Sequence, residues 1–132
     1  MTAVLVDTSV WVRFLRGEQH HAAGALDLLV ATGVASVCGL VLCELYPLGG
    51  SGKSREDAER FFRALPVLAD PPDLWGVVSR VKTKCVKSGV SGVGIPDLIV
   101  VCVALHNNAP LLSLDKHFAA IARAVPELRI AG

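Results

Sequence analysis

The sequence predicts an α/β domain built on a parallel sheet of four or five strands flanked by helices. Three observations predict it. Short apolar runs alternate with longer segments of helical periodicity, and the links between them are short. The runs are continuously apolar rather than alternating, as suits strands covered on both faces. Two of them end abruptly in hydroxyls and an acid, and open α/β sheets hold their ligand-binding residues at strand carboxyl ends.

The first run, Ala3-Val4-Leu5-Val6, ends in Asp7-Thr8-Ser9. Val10, Trp11, Phe14 and Leu15 follow at helical spacing, so Asp7 stands between a buried strand and a helix start. Gly17 breaks that helix. Residues 20–30 read as a second helix with Ala25, Leu28 and Leu29 on one face, closed by Gly33. A second strand over 34–38 leads into an apolar helix over 40–48 that carries one acid, Glu44. After a glycine-rich loop over 49–52, a helix opens at Ser54 and runs through Phe61, Phe62 and Leu65. Residues 66–69 form a third strand. Pro71-Pro72-Asp73 starts a long helix to Lys87, which Ser88-Gly89 and Ser91-Gly92 end. Pro96-Asp97 opens a helix, 98–105, that is apolar all round and therefore expected to be buried. Residues 110–113 form a fourth strand, Asp115 starts a last helix, and 128–130 reads as an edge strand.

At 132 residues the chain is one domain, 1–132, large enough for a real core. It is 52% hydrophobic and 19% charged, which excludes a disordered chain or a polycation, and a formal charge of +1 names no partner. No apolar run reaches a membrane span, and Asp7 interrupts the one candidate signal core, so a soluble cytoplasmic protein is expected. Cys38, Cys43, Cys85 and Cys102 sit among apolar neighbours without a CxxC pair and read as buried free thiols.

The chemistry lies in the acids. Of twelve, eight sit among polar neighbours or at helix starts. Asp7, Glu44 and Asp97 lie in apolar surroundings with no basic residue nearby in sequence, and Asp115 follows a strand in the same polarity as Asp7. A buried charge is costly unless it is paired or binds a metal. Carboxylates that converge without basic partners repel one another until a proton or a cation compensates. Mg²⁺ and Mn²⁺ favour such oxygen donors, which points to metal-dependent phosphate chemistry. The competing reading of Asp7 and Asp97 is that each is merely a helix N-cap.

Four segments carry a family resemblance: Val6-Asp7-Thr8-Ser9, Leu42-Cys43-Glu44-Leu45, Pro96-Asp97-Leu98-Ile99 and Leu112-Ser113-Leu114-Asp115-Lys116-His117-Phe118. In order and spacing they resemble the acidic motifs of PIN domains, and the whole chain is similar to the VapC toxins of bacterial VapBC toxin–antitoxin pairs. The resemblance implies a Mg²⁺- or Mn²⁺-dependent endoribonuclease toxin held inactive by a cognate VapB-like antitoxin. It implies a metal site of Asp7, Glu44, Asp97 and Asp115, with Thr8, Ser9 and Ser113 orienting water or phosphate, and it implies a homodimer. The chain departs from the pattern where many members carry a further acid, two residues after Asp115. His117 stands there and reads as a solvated or helix-start histidine rather than a ligand; His20, His21 and His106 show no ligand spacing, and His20-His21 reads as a surface pair.

Two other functions fit an α/β fold with an Asp after its first strand. A haloacid-dehalogenase-like phosphohydrolase needs a second Asp two residues after the first, where Ser9 stands. A non-catalytic PIN-like module binding RNA or protein would not need all four acids. Arg80, Lys84 and Lys87 share a helical face, as do Arg13 and Arg16; such stripes can hold RNA phosphates but commonly are solvated faces. The apolar face around Phe61, Phe62 and Leu65 suits either core packing or a partner groove.

Overall fold

The computed structural model describes residues 2–17 and 21–131. Four parallel strands, β1 (Val4–Val6), β2 (Ala35–Cys38), β3 (Val67–Leu68) and β4 (Leu111–Leu112), form one sheet in the order β3-β2-β1-β4. Among the described residues, seven α-helices flank it: α1 (Thr8–Leu15), α2 (His21–Ala31), α3 (Gly39–Leu45), α4 (Gly52–Arg63), α5 (Leu74–Lys87), α6 (Ile95–His106) and α7 (Lys116–Ala124). None of them is long and apolar enough to cross a membrane. His20 and the side chain of His21 lie outside the described residues.

The order of the strands creates the site. The chain steps from β1 to β2 to β3 toward one edge, then crosses to put β4 on the other side of β1. The sheet therefore has its switch point between β1 and β4, and parallel sheets bind ligands in the crevice at that point. The register Val6↔Leu112 sets the strand ends level, and the Asp7 N–H donates to the Leu112 carbonyl at 2.9 Å. Asp7 and Ser113 leave the sheet side by side.

Several expectations need correction. The expected fifth strand is a single parallel bridge, Leu111↔Ile130. The Leu111 N–H donates to the Arg129 carbonyl and the Ala131 N–H to the Leu111 carbonyl, at 2.9 and 2.8 Å. A two-residue β4 has no further outward-facing backbone to pair. The helix expected over 40–48 is α only to Leu45, and residues 46–49 tighten into a 3₁₀ turn that starts Tyr46-Pro47. The Pro47 ring has no N–H to continue the ladder. Helix α4 begins at Gly52, and α5 at Leu74, behind Asp73 in the left-handed region (φ 54). Cys43 is exposed, whereas Cys38, Cys85 and Cys102 are buried. Helix α3 buries Val41 and Leu45, and Cys43, two residues from each, faces the other way.

As its composition predicts, α6 is sunk in the core, with Leu98, Val100, Val101, Cys102, Val103 and Ala104 buried. Helix α5 packs on it through Val78, Val81 and Cys85, which leaves Arg80, Lys84 and Lys87 exposed. On the other side Trp11 is fully buried, edge-on to Phe14, Phe61 and Phe62 with centroids 5.3–6.0 Å apart. Its Nε1–H donates to the Val6 carbonyl at 3.1 Å. The aromatic face of α4 is thus core packing, and α1 is locked to the end of β1, one residue before Asp7. Trp11→Ala is expected to cost about 3–5 kcal/mol of stability. Leu28→Ala, at an exposed position, should stay within about 0.5 kcal/mol; urea unfolding of the two variants measures both.

Candidate active site

Asp7 caps α1 from a residue only 8% exposed. Every hydrogen bond its side chain accepts among the described residues falls on one oxygen. Oδ2 takes Ser9 Oγ–H at 2.8 Å, Ser113 Oγ–H at 2.9 Å and the Ser9 backbone N–H at 3.4 Å. Each serine in turn accepts a backbone N–H: Ser9 Oγ from Leu114 at 3.1 Å and Ser113 Oγ from Asp115 at 2.9 Å. This network ties the end of β1 to the turn that starts α7. All these donors are neutral, so Asp7 is solvated by the protein without being neutralised.

The other acids come from three further elements, α3, α6 and the start of α7. Asp115 caps α7, its Oδ1 accepting the His117 N–H at 2.9 Å. Asp97 is not an N-cap: Gly94 caps α6, and Asp97 projects from the first turn. A structural role as a cap is therefore removed for Asp97, while Asp7 fills both the cap and the crevice. Asp97 is half-buried, and its carboxyl is raised above the usual range, first by desolvation and then by the charges of Asp115, Asp7 and Glu44; His117 opposes the rise. The other three acids expected from the sequence therefore all act on Asp97. Glu44 corrects a different expectation, because it is exposed rather than buried in its apolar helix. It reaches from α3 to the rim, where Thr8 Oγ1–H donates to its Oε1 at 2.7 Å.

The hydroxyls expected to orient water or phosphate are engaged with carboxylates: Thr8 with Glu44, Ser9 and Ser113 with Asp7. Ser9, standing where a dehalogenase-like enzyme needs its second Asp, has its donor and an acceptor position committed. One participant was undervalued in sequence. His117 Nδ1 lies 3.2 Å from Asp115 Oδ1 and 3.8 Å from Asp97 Oδ2. The Asp-x-His spacing across a helix start was the signal that could have found it, since N-cap and second helical residue lie close together.

The donor set fits a divalent cation. It offers several anionic oxygens, no Lys or Arg is paired with them in any described ion pair, and Asp97 bears the cost of their repulsion. Fold and site together define a parallel α/β domain with a carboxylate crevice at its switch point. The PIN domain model matches residues 4–124, and the chain belongs to the PIN domain family. It is 31% identical over 126 residues to Ribonuclease VapC21 of Mycobacterium tuberculosis, covering 92% of this chain and 87% of the relative. The fold is similar to VapBC2 from Rickettsia felis bound to a promoter DNA fragment (TM-score 0.74, 19% identity, 98% of each chain). It is also similar to VapBC-5 from Mycobacterium tuberculosis (TM-score 0.67, 20% identity, 98% of each chain). At those identities the structural likeness carries the fold alone.

The raised Asp97 carboxyl gives the site a pH signature. The folded protein holds this proton more tightly than the unfolded chain. The group's contribution to stability is therefore lost as pH rises from the usual carboxylate range through its raised value. In chelator, Asp97→Asn should be more stable than the parent at neutral pH, and the difference should shrink as pH falls. Melting temperatures of both proteins across that range measure it; a difference independent of pH would contradict the assignment.

Proposed function

We propose that this protein is a metal-dependent endoribonuclease toxin that hydrolyses RNA phosphodiester bonds and is inhibited by a cognate VapB-like antitoxin, in the cytoplasm. The observation that supports the reading is that Asp115, Asp7 and Glu44 all act on Asp97, and that no described ion pair brings a Lys or Arg to any of the four. The 31% identity to a ribonuclease over most of the chain supports the substrate class.

On this reading the four acids hold Mg²⁺ or Mn²⁺, which when bound polarises a phosphoryl oxygen and lowers the pKa of a coordinated water. The chain's other residues position those acids. Ser9 and Ser113 fix the rotamer of Asp7 by occupying Oδ2, which leaves Oδ1 without a hydrogen-bond donor among the described residues. Thr8 holds Glu44 over the rim. Water attacks phosphorus in line and the 3′ oxygen leaves, giving 5′-phosphate and 3′-hydroxyl ends. The antitoxin is expected to close the crevice with a cationic side chain, for which a bidentate guanidinium matches paired carboxylates.

Purified protein should cut total RNA in Mg²⁺ or Mn²⁺ and lose that activity in excess EDTA; end-mapping that finds 2′,3′-cyclic phosphates would refute the mechanism. Asp97→Asn is expected to lower cleavage at least ~100-fold, or ~2.7 kcal/mol of barrier, while the protein stays folded. Thr8→Val removes only the hold on Glu44 and should cost about tenfold, within the range for residues that orient ligands. Initial cleavage rates, with circular dichroism on the same samples, check both. Expression of the chain alone should slow growth, and co-expression of its antitoxin should restore it.

A further inference from the structure

Beside its carboxylates the crevice holds an imidazole, that of His117. Helix α7 fixes it there. Asp115 is the N-cap and His117 the second helical residue, so the cap oxygen Oδ1 receives the His117 N–H at 2.9 Å and lies 3.2 Å from Nδ1 of the same residue. Asp97 Oδ2, from the first turn of α6, lies 3.8 Å from Nδ1. One ligand atom from each of Asp97, Asp115 and His117 lies within 4.8 Å of the others. Donors bound at about 2.1 Å to one octahedral ion stand about 3.0 Å apart when adjacent and about 4.2 Å apart when opposite. Both Nδ1 separations fall between those limits, with no rearrangement of either helix.

We propose that His117 is a ligand in this centre, making it a mixed nitrogen–oxygen site that favours Mn²⁺ over Mg²⁺. The inference rests on the reading of the crevice as a divalent-cation site and goes beyond it. Mg²⁺ is a hard ion that favours carboxylate and water, whereas imidazole suits the first-row transition metals, and Mn²⁺ accepts both. The rival role for the ring is a counter-charge that only offsets Asp97 and Asp115. The two roles differ in one observable: whether a nitrogen is bonded to the ion.

The test uses the metal-stripped full chain, with Mn²⁺ and Mg²⁺ as the probes. Calorimetric titration should give a Mn²⁺ affinity at least about tenfold above that for Mg²⁺, the scale on which a single ligand-set change acts. Pulsed electron paramagnetic resonance of the Mn²⁺ complex should show a nitrogen coupling that changes on isotopic labelling of histidine. His117→Gln should lose that coupling and reduce the Mn²⁺ preference about tenfold, and His117→Asp should restore Mg²⁺ binding toward that of an all-carboxylate site. The ring is exposed and both variants keep the backbone N–H that caps α7, so they are expected to fold. If the wild type shows no nitrogen coupling, or if the coupling survives in His117→Gln, the inference falls. The cation reading stands in that case provided Asp97→Asn abolishes Mn²⁺ binding. If the wild type binds neither ion, both readings fall.

Discussion

The structure of this site depends on one buried carboxylate oxygen. Asp7 Oδ2 receives two serine hydroxyls and a backbone N–H, and the same two serines receive the N–H groups of Leu114 and Asp115. A hydroxyl has one proton to donate and lone pairs to spare. Because each serine donates its hydrogen bond to Asp7, the hydroxyl lone pairs remain available to the turn that begins α7. One side chain thereby joins the first strand, the last strand and the helix that presents Asp115 and His117. Asp7→Ala would leave both serines seeking a new acceptor, since both hydroxyls donate to Oδ2.

The network surrounds Asp7 with neutral donors and brings it no counter-charge. The remaining acids form a gradient of exposure, from half-buried Asp97 and Asp115 to exposed Glu44 at the rim. Desolvation and repulsion concentrate on Asp97, the acid whose carboxyl is raised. The same repulsion makes the crevice attractive to a cation. Stability given up in the metal-free protein would return as affinity if a cation bound there, a trade common where function needs an uncompensated cluster. The scaffold absorbs that cost through rigid packing close by. Trp11 bolts α1 to β1 beside Asp7, and α6 carries Asp97 on a helix buried over most of its length.

The four acids, their order and the parallel α/β class were legible in the sequence, because continuous apolar strands and unpartnered acids are local signals. The buried character of α6 was legible for the same reason, since a helix apolar on every side has only the core to occupy. Exposure of Glu44 and Cys43 was not: apolar neighbours marked the helix as packed but did not say which of its faces, and only the burial of Val41 and Leu45 decided that. The cap question was open in sequence at both Asp7 and Asp97, since Pro96-Asp97 is a plausible helix start. Tertiary placement put the cap at Gly94 and left Asp97 facing other acids. The partners of Thr8 and Ser113 were equally invisible, because each hydroxyl could serve substrate or protein, and the choice depends on a carboxylate that only the fold brings within 3 Å: Glu44 from α3 for Thr8, and Asp7 through the strand register for Ser113. His117 gives the sharpest division. Its spacing from Asp115 lies in the chain itself, but its approach to Asp97 required α6 and α7 to meet at the switch point, a long-range distance that only the folded sheet sets.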